Sequence, residues 1–416
     1  MTKLKTTPLS DAPKGNLFLG ILIIITIMFL LAFGPYFNLE KVTTFVLLPI
    51  LFVISLFIEL PKTKGNKREL LVLTLILVLS LFSVFNYIDY ELLMQGYSGL
   101  AGAVVAAYIP LALNKKKNYF FYFHVGYIIA IVILIYIMYI EKDFTFSNFA
   151  SSSGDRDRFL LNANSYSYYS FFANFSLFYL HQRYRNALLV ALLVVLPVLF
   201  LIVGFVTQSR SALLLIVASN ICYWFFIHKV ESKNIFIKPA RFLMVVGAFY
   251  IMATQFIAIY EESNIKDRVD SSVSKKESRE ILVEESIDAF LQNPMLGVGL
   301  GQVRFYTSAR QFSHNSYVEI LAEQGIFGGV LLFFLFVIPF RNAWSMWKKD
   351  KRNRIIKINI LFLLMFYVYN NFYPFYKFSF STLYFFMVIS MNYRVMAQFA
   401  QKRVEPISNK EPILES

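Results

Sequence analysis

The chain has 416 residues, 57% of them hydrophobic and 16% charged. A soluble domain carries about 25% charged residues, so a soluble globular enzyme is excluded, and an aromatic content of 18% with only 17 Gly and 13 Pro excludes a collagen-like or disordered chain. The net charge of +14 could point to nucleic acid, but in a membrane protein Lys and Arg gather in the loops that stay in the cytoplasm.

A bilayer core needs about 20 apolar residues per helix. Twelve runs meet that expectation, near 17–34, 42–60, 70–88, 96–113, 119–140, 164–181, 187–206, 211–228, 242–260, 317–340, 356–373 and 379–396. The first is too long for a signal-peptide core, and bulky Phe33-Gly34-Pro35-Tyr36 follows where small residues would mark cleavage, so it reads as a retained span. The run 164–181 is rich in Tyr, Ser and Asn and predicts a helix that faces protein or water rather than lipid. With the N-terminus inside, most of the 40 basic residues fall in inside segments. This predicts both termini in the cytoplasm.

The expected class is an all-α polytopic membrane protein, with about 12 transmembrane helices and one long, partly helical periplasmic loop. Residues 1–260 form an N-terminal membrane bundle, 261–316 the loop, 317–396 the C-terminal membrane helices and 397–416 a cytoplasmic tail. The tail from Val404 onward is polar and predicts disorder. Within the loop, Val283, Ile287, Phe290 and Leu291 follow a helical period, and Asn293-Pro294 ends that helix. A second outside segment, 141–163, contains Arg156 and Arg158.

The single Cys222 lies in an apolar run, which excludes a disulfide frame and a thiolate zinc site. No Gly-x-x-x-x-Gly-Lys-Ser/Thr loop is present, so ATP use is not expected, and no cofactor or metal is assigned. Of four histidines, His124 sits inside an apolar span, and His181 and His228 at inside helix ends. Only His314 is expected at the outside face. Polar residues continue past it into the next span, where Glu319 and Glu323 stand one turn apart. Intramembrane carboxylates are costly against lipid, so this pair predicts a cavity. A neutral histidine there suits general-base chemistry. Gly325, Gly328 and Gly329 predict close helix approach.

Arg210, in Thr207-Gln208-Ser209-Arg210-Ser211, forms an outside turn between two apolar spans. It reads either as an interfacial anchor or as an anion ligand whose flanking hydroxyls suit phosphate oxygens. Arg279 and Arg158 extend this outward-facing basic set. The stretch Asn293-Pro294-Met295-Leu296-Gly297-Val298-Gly299-Leu300-Gly301 follows a helix, unlike a dinucleotide fingerprint. It predicts a backbone poor in side chains that can approach a ligand or another helix.

Four features resemble the O-antigen ligase superfamily, which includes O-antigen and capsule polymerases. His314-Asn315, nine residues, then Gly325-Ile326-Phe327-Gly328 fits its His-(Asn/Ser/Gln)-x9-Gly-x-x-Gly signature. Asn293-Pro294 through Gly301 resembles its Asn-Pro-x-x-Gly-x-Gly stretch, and Ser209-Arg210-Ser211 its arginine turn. Arg158 with Asn162-Ala163-Asn164 resembles its arginine and Asn-Pro-Asn region, with Ala163 in place of proline. The matches run from about 155 to 330.

The resemblance implies a GT-C-like, metal-independent enzyme in the bacterial inner membrane. Such an enzyme moves a glycan from undecaprenyl diphosphate to a sugar hydroxyl at the periplasmic face. It implies His314 as catalytic base, in a pocket roofed by the 276–292 helix and the glycine segment. Arg210, Arg279 and Arg158, with Asn315 and Glu319, become the substrate-binding candidates, and Arg268 competes with Arg279 for the diphosphate. Expected partners are the lipid-linked donor, a lipid A-core or glycan acceptor, and membrane lipids, with no nucleic acid. Ligase acting on lipid A-core is the first reading and repeat-unit polymerase the second. A transporter or flippase is the third; it would predict two similar halves with mid-membrane ionisable residues, which the sequence lacks.

Overall fold

The structure, a computed structural model, describes residues 16–58, 68–113, 119–142, 163–184, 186–207, 209–228 and 278–404. The expected span 242–260, Arg158, Arg156 and Arg268 lie outside the described residues. The described residues are mainly helical: α1 Leu17–Tyr36, α2 Glu40–Phe57, α3 Arg68–Phe85 and α4 Tyr90–Ala112. These are followed by α5 Tyr119–Lys142, α6 Ala163–Tyr184, α7 Ala187–Val206 and α8 Arg210–Ile227. Last come α9 Ser278–Gln292, α10 Ser316–Lys349, α11 Arg354–Tyr369 and α12 Ser379–Val404. Helices occupy every expected span that falls within the described residues, and among these eight (α1–α5, α7, α8 and α10) are long and apolar enough to cross a membrane. The last helix continues to Val404, about two turns past the expected start of the tail at 397.

Helices α6 and α12 are more polar than the eight, and α11 has only 16 residues. The reason is position. Ser165, Ser167, Ser170, Asn174 and Ser176 of α6 are all buried, so α6 faces protein as its composition predicts. Its polar groups find partners on neighbouring helices. Asn174 donates to Ser219 of α8 at 2.9 Å, Tyr179 to Asn359 of α11 at 2.6 Å, and Ser176 to Tyr384 of α12 at 3.2 Å. Between helices in lipid, packing and such bonds replace the hydrophobic drive of water. Aromatic packing supplies the rest: Phe172 lies 5.1 Å from Tyr384, and Phe362 lies 5.2 Å from Tyr384 and 5.8 Å from Phe171. Each such pair adds about 0.5–1.5 kcal/mol beyond its burial.

One break in this regular bundle positions the site. At Gly325, α10 leaves helical geometry, with φ 63° and ψ −161°. In a continuous helix the carbonyls of Ala322 and Glu323 would accept from residues four further on. Here Ala322 accepts from Val298 N at 2.8 Å and Glu323 from Gly299 N at 3.1 Å, while Ile326 N donates to Pro294 O at 2.8 Å. The Asn-Pro-glycine segment thus supplies the hydrogen bonds that the broken helix lacks. Glycine is required on both sides. A Cβ on Gly325 would lie 2.2 Å from Met295 O, and one on Gly297 (φ +73°) would lie 2.3 Å from the Glu323 carbonyl carbon. Gly328 and Gly329 play another part than expected: a Cβ there would meet the side chains of Gln324 and Leu321 on the same helix, not a neighbouring one.

The glycine segment is also fixed to the α3–α4 turn. The Gln302 side chain accepts from Ile88 N and Asp89 N, both at 2.9 Å, and donates to Asp89 O at 3.1 Å. Leu300 N donates to Ser83 Oγ at 2.9 Å. Helix α9 packs on α10 through a small core of Ala289, Val298, Val303 and Ala322, edged by Phe290 and Tyr306. Its buried stripe is Leu282, Ser286 and Ala289, whereas Ile287 and Leu291 of the expected stripe are 40% and 63% exposed. The small Ser286 and Ala289 allow the closer approach, which a count of large apolar residues does not register.

Gly325→Ala should therefore be severe. It combines a left-handed φ with a backbone collision, and we expect a loss of at least ~3 kcal/mol. Thermal unfolding of the purified variant in detergent checks this; an unchanged midpoint would contradict the role of the break.

Candidate functional site

Just before α10 the chain narrows to Ser313, His314 and Asn315. His314 has φ 56°, one of three non-glycine residues with positive φ among the described residues. That geometry costs about 1–3 kcal/mol and persists only where neighbours enforce it. The enforcing contacts are visible on both sides. Asn315 Oδ1 accepts from Tyr317 N at 3.0 Å and Val318 N at 3.3 Å, capping α10. Ser313 Oγ donates to Glu319 Oε2 at 2.9 Å, and Asn315 N donates to Ser313 Oγ at 3.2 Å. The side chain of Asn315 therefore serves the helix start. Ser316 ties this point to the α11–α12 connection, donating through Oγ to Asn370 Oδ1 at 2.7 Å and through N to Asn370 O at 2.8 Å.

Glu319 and Glu323 are buried, with side-chain exposures of 1% and 0%. Both meet a residue that the sequence reading missed, Lys377 in the connection between α11 and α12. Its Nζ lies 3.0 Å from Glu319 Oε1 and 2.5 Å from Glu323 Oε1. Glu323 further accepts from Gly301 N at 2.8 Å and Tyr376 OH at 3.0 Å. Burial pulls the Lys377 amine down, but the two carboxylates outweigh it and hold the amine above its ordinary value. The ammonium is thus charged across the physiological range. A lone lysine in a short connection otherwise made of aromatic residues and one proline, Tyr373-Pro374-Phe375-Tyr376-Lys377-Phe378, was the available signal. Two buried carboxylates need a cation, and this is the one that the α11–α12 connection supplies.

Arg304, also missed, stands within electrostatic reach of the same carboxylates. Its guanidinium lies 3.6 Å over the Phe312 ring, and Lys377 Nζ lies 5.0 Å from that ring. Burial holds the Arg304 side chain below its usual value, partly offset by Glu319 and Glu323. Glu319, Lys377, Arg304, Gly301 and Phe312 line one cavity of about 450 Å³. The cavity expected beside Glu319 is thus present. Neither His314 nor any residue of helix α9 lines this cavity; α9 is held against α10 by the core around Ala289 and Ala322.

The other candidates lie elsewhere. Arg210 is exposed at the first residue of α8, where the helix dipole adds positive potential. Arg279 is half-buried in the first turn of α9. Neither lines the cavity. The hydroxyl of Thr207, expected beside Arg210, turns into the bundle instead. It donates to Val203 O at 2.8 Å and lies 2.5 Å from Ser167 Oγ. His124 is a core residue, 3.2 Å from Ser176 Oγ and stacked on Tyr179. His181 is buried with its Nδ1 2.6 Å from Tyr223 OH.

Residues 195–333 match the O-antigen ligase family model. The match runs from α7 through Arg210, Arg279, the glycine segment and His314 to the middle of α10. No curated protein gives a significant match to the chain.

Removing Lys377 should leave two buried carboxylates uncompensated. We expect Lys377→Met to cost about 3–5 kcal/mol, with much of the loss recovered in a Lys377→Met, Glu323→Gln double variant. Thermal unfolding of both proteins measures this, and equal destabilisation in the two would show that charge is not the cause.

Proposed function

Proceeding from the O-antigen ligase match over residues 195–333, we propose that the protein transfers a glycan from undecaprenyl diphosphate to a sugar hydroxyl. The reaction takes place at the periplasmic face of the bacterial inner membrane. The first reading is O-antigen ligase with lipid A-core as acceptor. A repeat-unit polymerase would use the same chemistry with a second glycan as acceptor.

The observation that carries this reading is the placement of His314. It sits in a left-handed backbone conformation, between a serine bonded to Glu319 and the cap of α10, within the matched region. In the proposed step an acceptor hydroxyl attacks the anomeric carbon and its proton passes to the His314 imidazole. The bond from that carbon to the diphosphate oxygen breaks with its electron pair, releasing undecaprenyl diphosphate with inversion. Arg210 and Arg279 offset the charge that develops on the leaving group, with Arg158 as a third cation. Lys377 holds Glu319, and through Ser313 the loop that carries His314. The stored energy of the lipid diphosphate linkage drives the step, so the reading requires no nucleotide.

His314→Ala should lower transfer of labelled glycan in vesicles by a factor of about 100 to 10,000 while donor binding persists. Transfer within a few-fold of wild type would remove His314 as base. Arg210→Lys keeps charge but loses the bidentate fork, and should lose both donor binding and transfer; near-normal activity would leave Arg210 an interfacial anchor. Reporter fusions after Lys275 and after Lys349 should report periplasm and cytoplasm respectively, and matching outcomes would overturn the orientation.

A further inference from the structure

The cavity beside Lys377 opens between the α1–α2 turn and the first half of α4, with Glu40 and Gln95 among its lining residues, both exposed. Its volume of about 450 Å³ falls in the range of roughly 300–1,000 Å³ usual for small-molecule sites. One wall is shaped by a widened helical turn, Phe29–Phe33, directly before Pro35, whose missing N–H interrupts the regular ladder.

The charges in this cavity are balanced. Arg304 and Lys377 line it, but so do Glu40 and Glu319, and Glu323 lies directly behind Lys377. A diphosphate would meet carboxylates at short range, and like charges brought together in a desolvated site repel. Aromatic rings of Tyr169, Phe312, Phe378 and Phe380 supply flat apolar faces. Donors and acceptors of both kinds stand between those faces. Arg304 lines the cavity with its guanidinium held flat over the Phe312 ring at 3.6 Å, so a fork of N–H donors is fixed in the wall beside an aromatic face.

We infer that this cavity binds a saccharide ring through its hydroxyls, with Arg304 as the principal donor and Glu40 and Gln95 at the mouth. A sugar matches the two features together, a neutral ring with flat C–H faces and a rim of groups that both donate and accept. The inference rests on the glycan-transfer reading and adds the location at which a sugar of that reaction sits, apart from Arg210 and Arg279.

The test uses the full chain purified into lipid nanodiscs. The probe is the host's own oligosaccharide, freed from its lipid carrier by mild acid and fluorescently end-labelled. Wild type should bind it saturably, and inorganic diphosphate should not displace it. Arg304→Gln should weaken binding by about ten-fold, as should Gln95→Trp, which narrows the mouth without touching the buried charges, so the test survives if the Arg304 variant fails to fold. Arg210→Lys should bind the oligosaccharide like wild type. Absence of saturable binding, wild-type affinity in both cavity variants, or displacement by diphosphate would overturn the assignment. In the transfer assay, a KM raised for the acceptor identifies the bound sugar as the acceptor's, one raised for the donor as the donor's, and neither raised counts against the site. Wild type that binds the oligosaccharide but transfers nothing from the lipid-linked donor would instead refute the transferase reading alone.

Discussion

Inside a bilayer protein a helix that breaks must hand its freed carbonyls and amides to other partners, because unsatisfied backbone groups in lipid cost several kcal/mol each. The break at Gly325 in α10 meets that demand with three backbone bonds to residues 294–299. Two glycines make the approach possible, since side chains at either position would collide with the opposing main chain. The same segment is then tied to the α3–α4 turn through Gln302 and to Glu323 through Gly301 N. The N-terminal turn of one helix pair, the glycine segment and the first three turns of α10 are thereby one rigid unit, and His314 stands at its edge.

Charge completes what the backbone begins. Two buried carboxylates one turn apart would repel each other, and Lys377 from a later connection bridges them and offsets part of their charge. That ion cluster fixes the α11–α12 connection against α10, with Ser316 and Asn370 closing the other side. It also consumes the carboxylates. Glu319 is held by Ser313 and Lys377, and Glu323 by Lys377, Tyr376 and Gly301. Neither stands ready as a free base, which strengthens the case for His314 in that role. Removing a single partner from such a cluster costs far more than the cluster contributes as a whole, because the remaining charge stays buried.

The central helices show why composition underestimates a membrane core. A helix that faces lipid must be apolar on its outer side, and α1, α5 and α7 advertise themselves by hydropathy. A helix wrapped by others can carry Ser, Asn and Tyr, provided that each finds a partner, as α6 does through Asn174, Ser176 and Tyr179. Such a helix is legible only as a weak span.

Local sequence was enough for the all-helical class, for the positions of the helices among the described residues, for the Asn-Pro-glycine and His-x9-Gly-x-x-Gly motifs, and for the resemblance that points to glycan transfer. These are local or periodic properties: apolar length, residue identity and spacing along the chain. The packing of distant segments settled that Gly325 and Gly297 approach across the break and that Lys377, more than fifty residues past Glu319, bonds to both carboxylates. It also decided that α9 buries Ser286 and Ala289 in place of Ile287 and Leu291, and that Arg304 enters the cavity while Arg210 and Arg279 do not. Each of these depends on which surfaces meet when distant segments pack. A buried charge or a missing backbone donor selects its partner by proximity in space, which spacing along the chain does not encode.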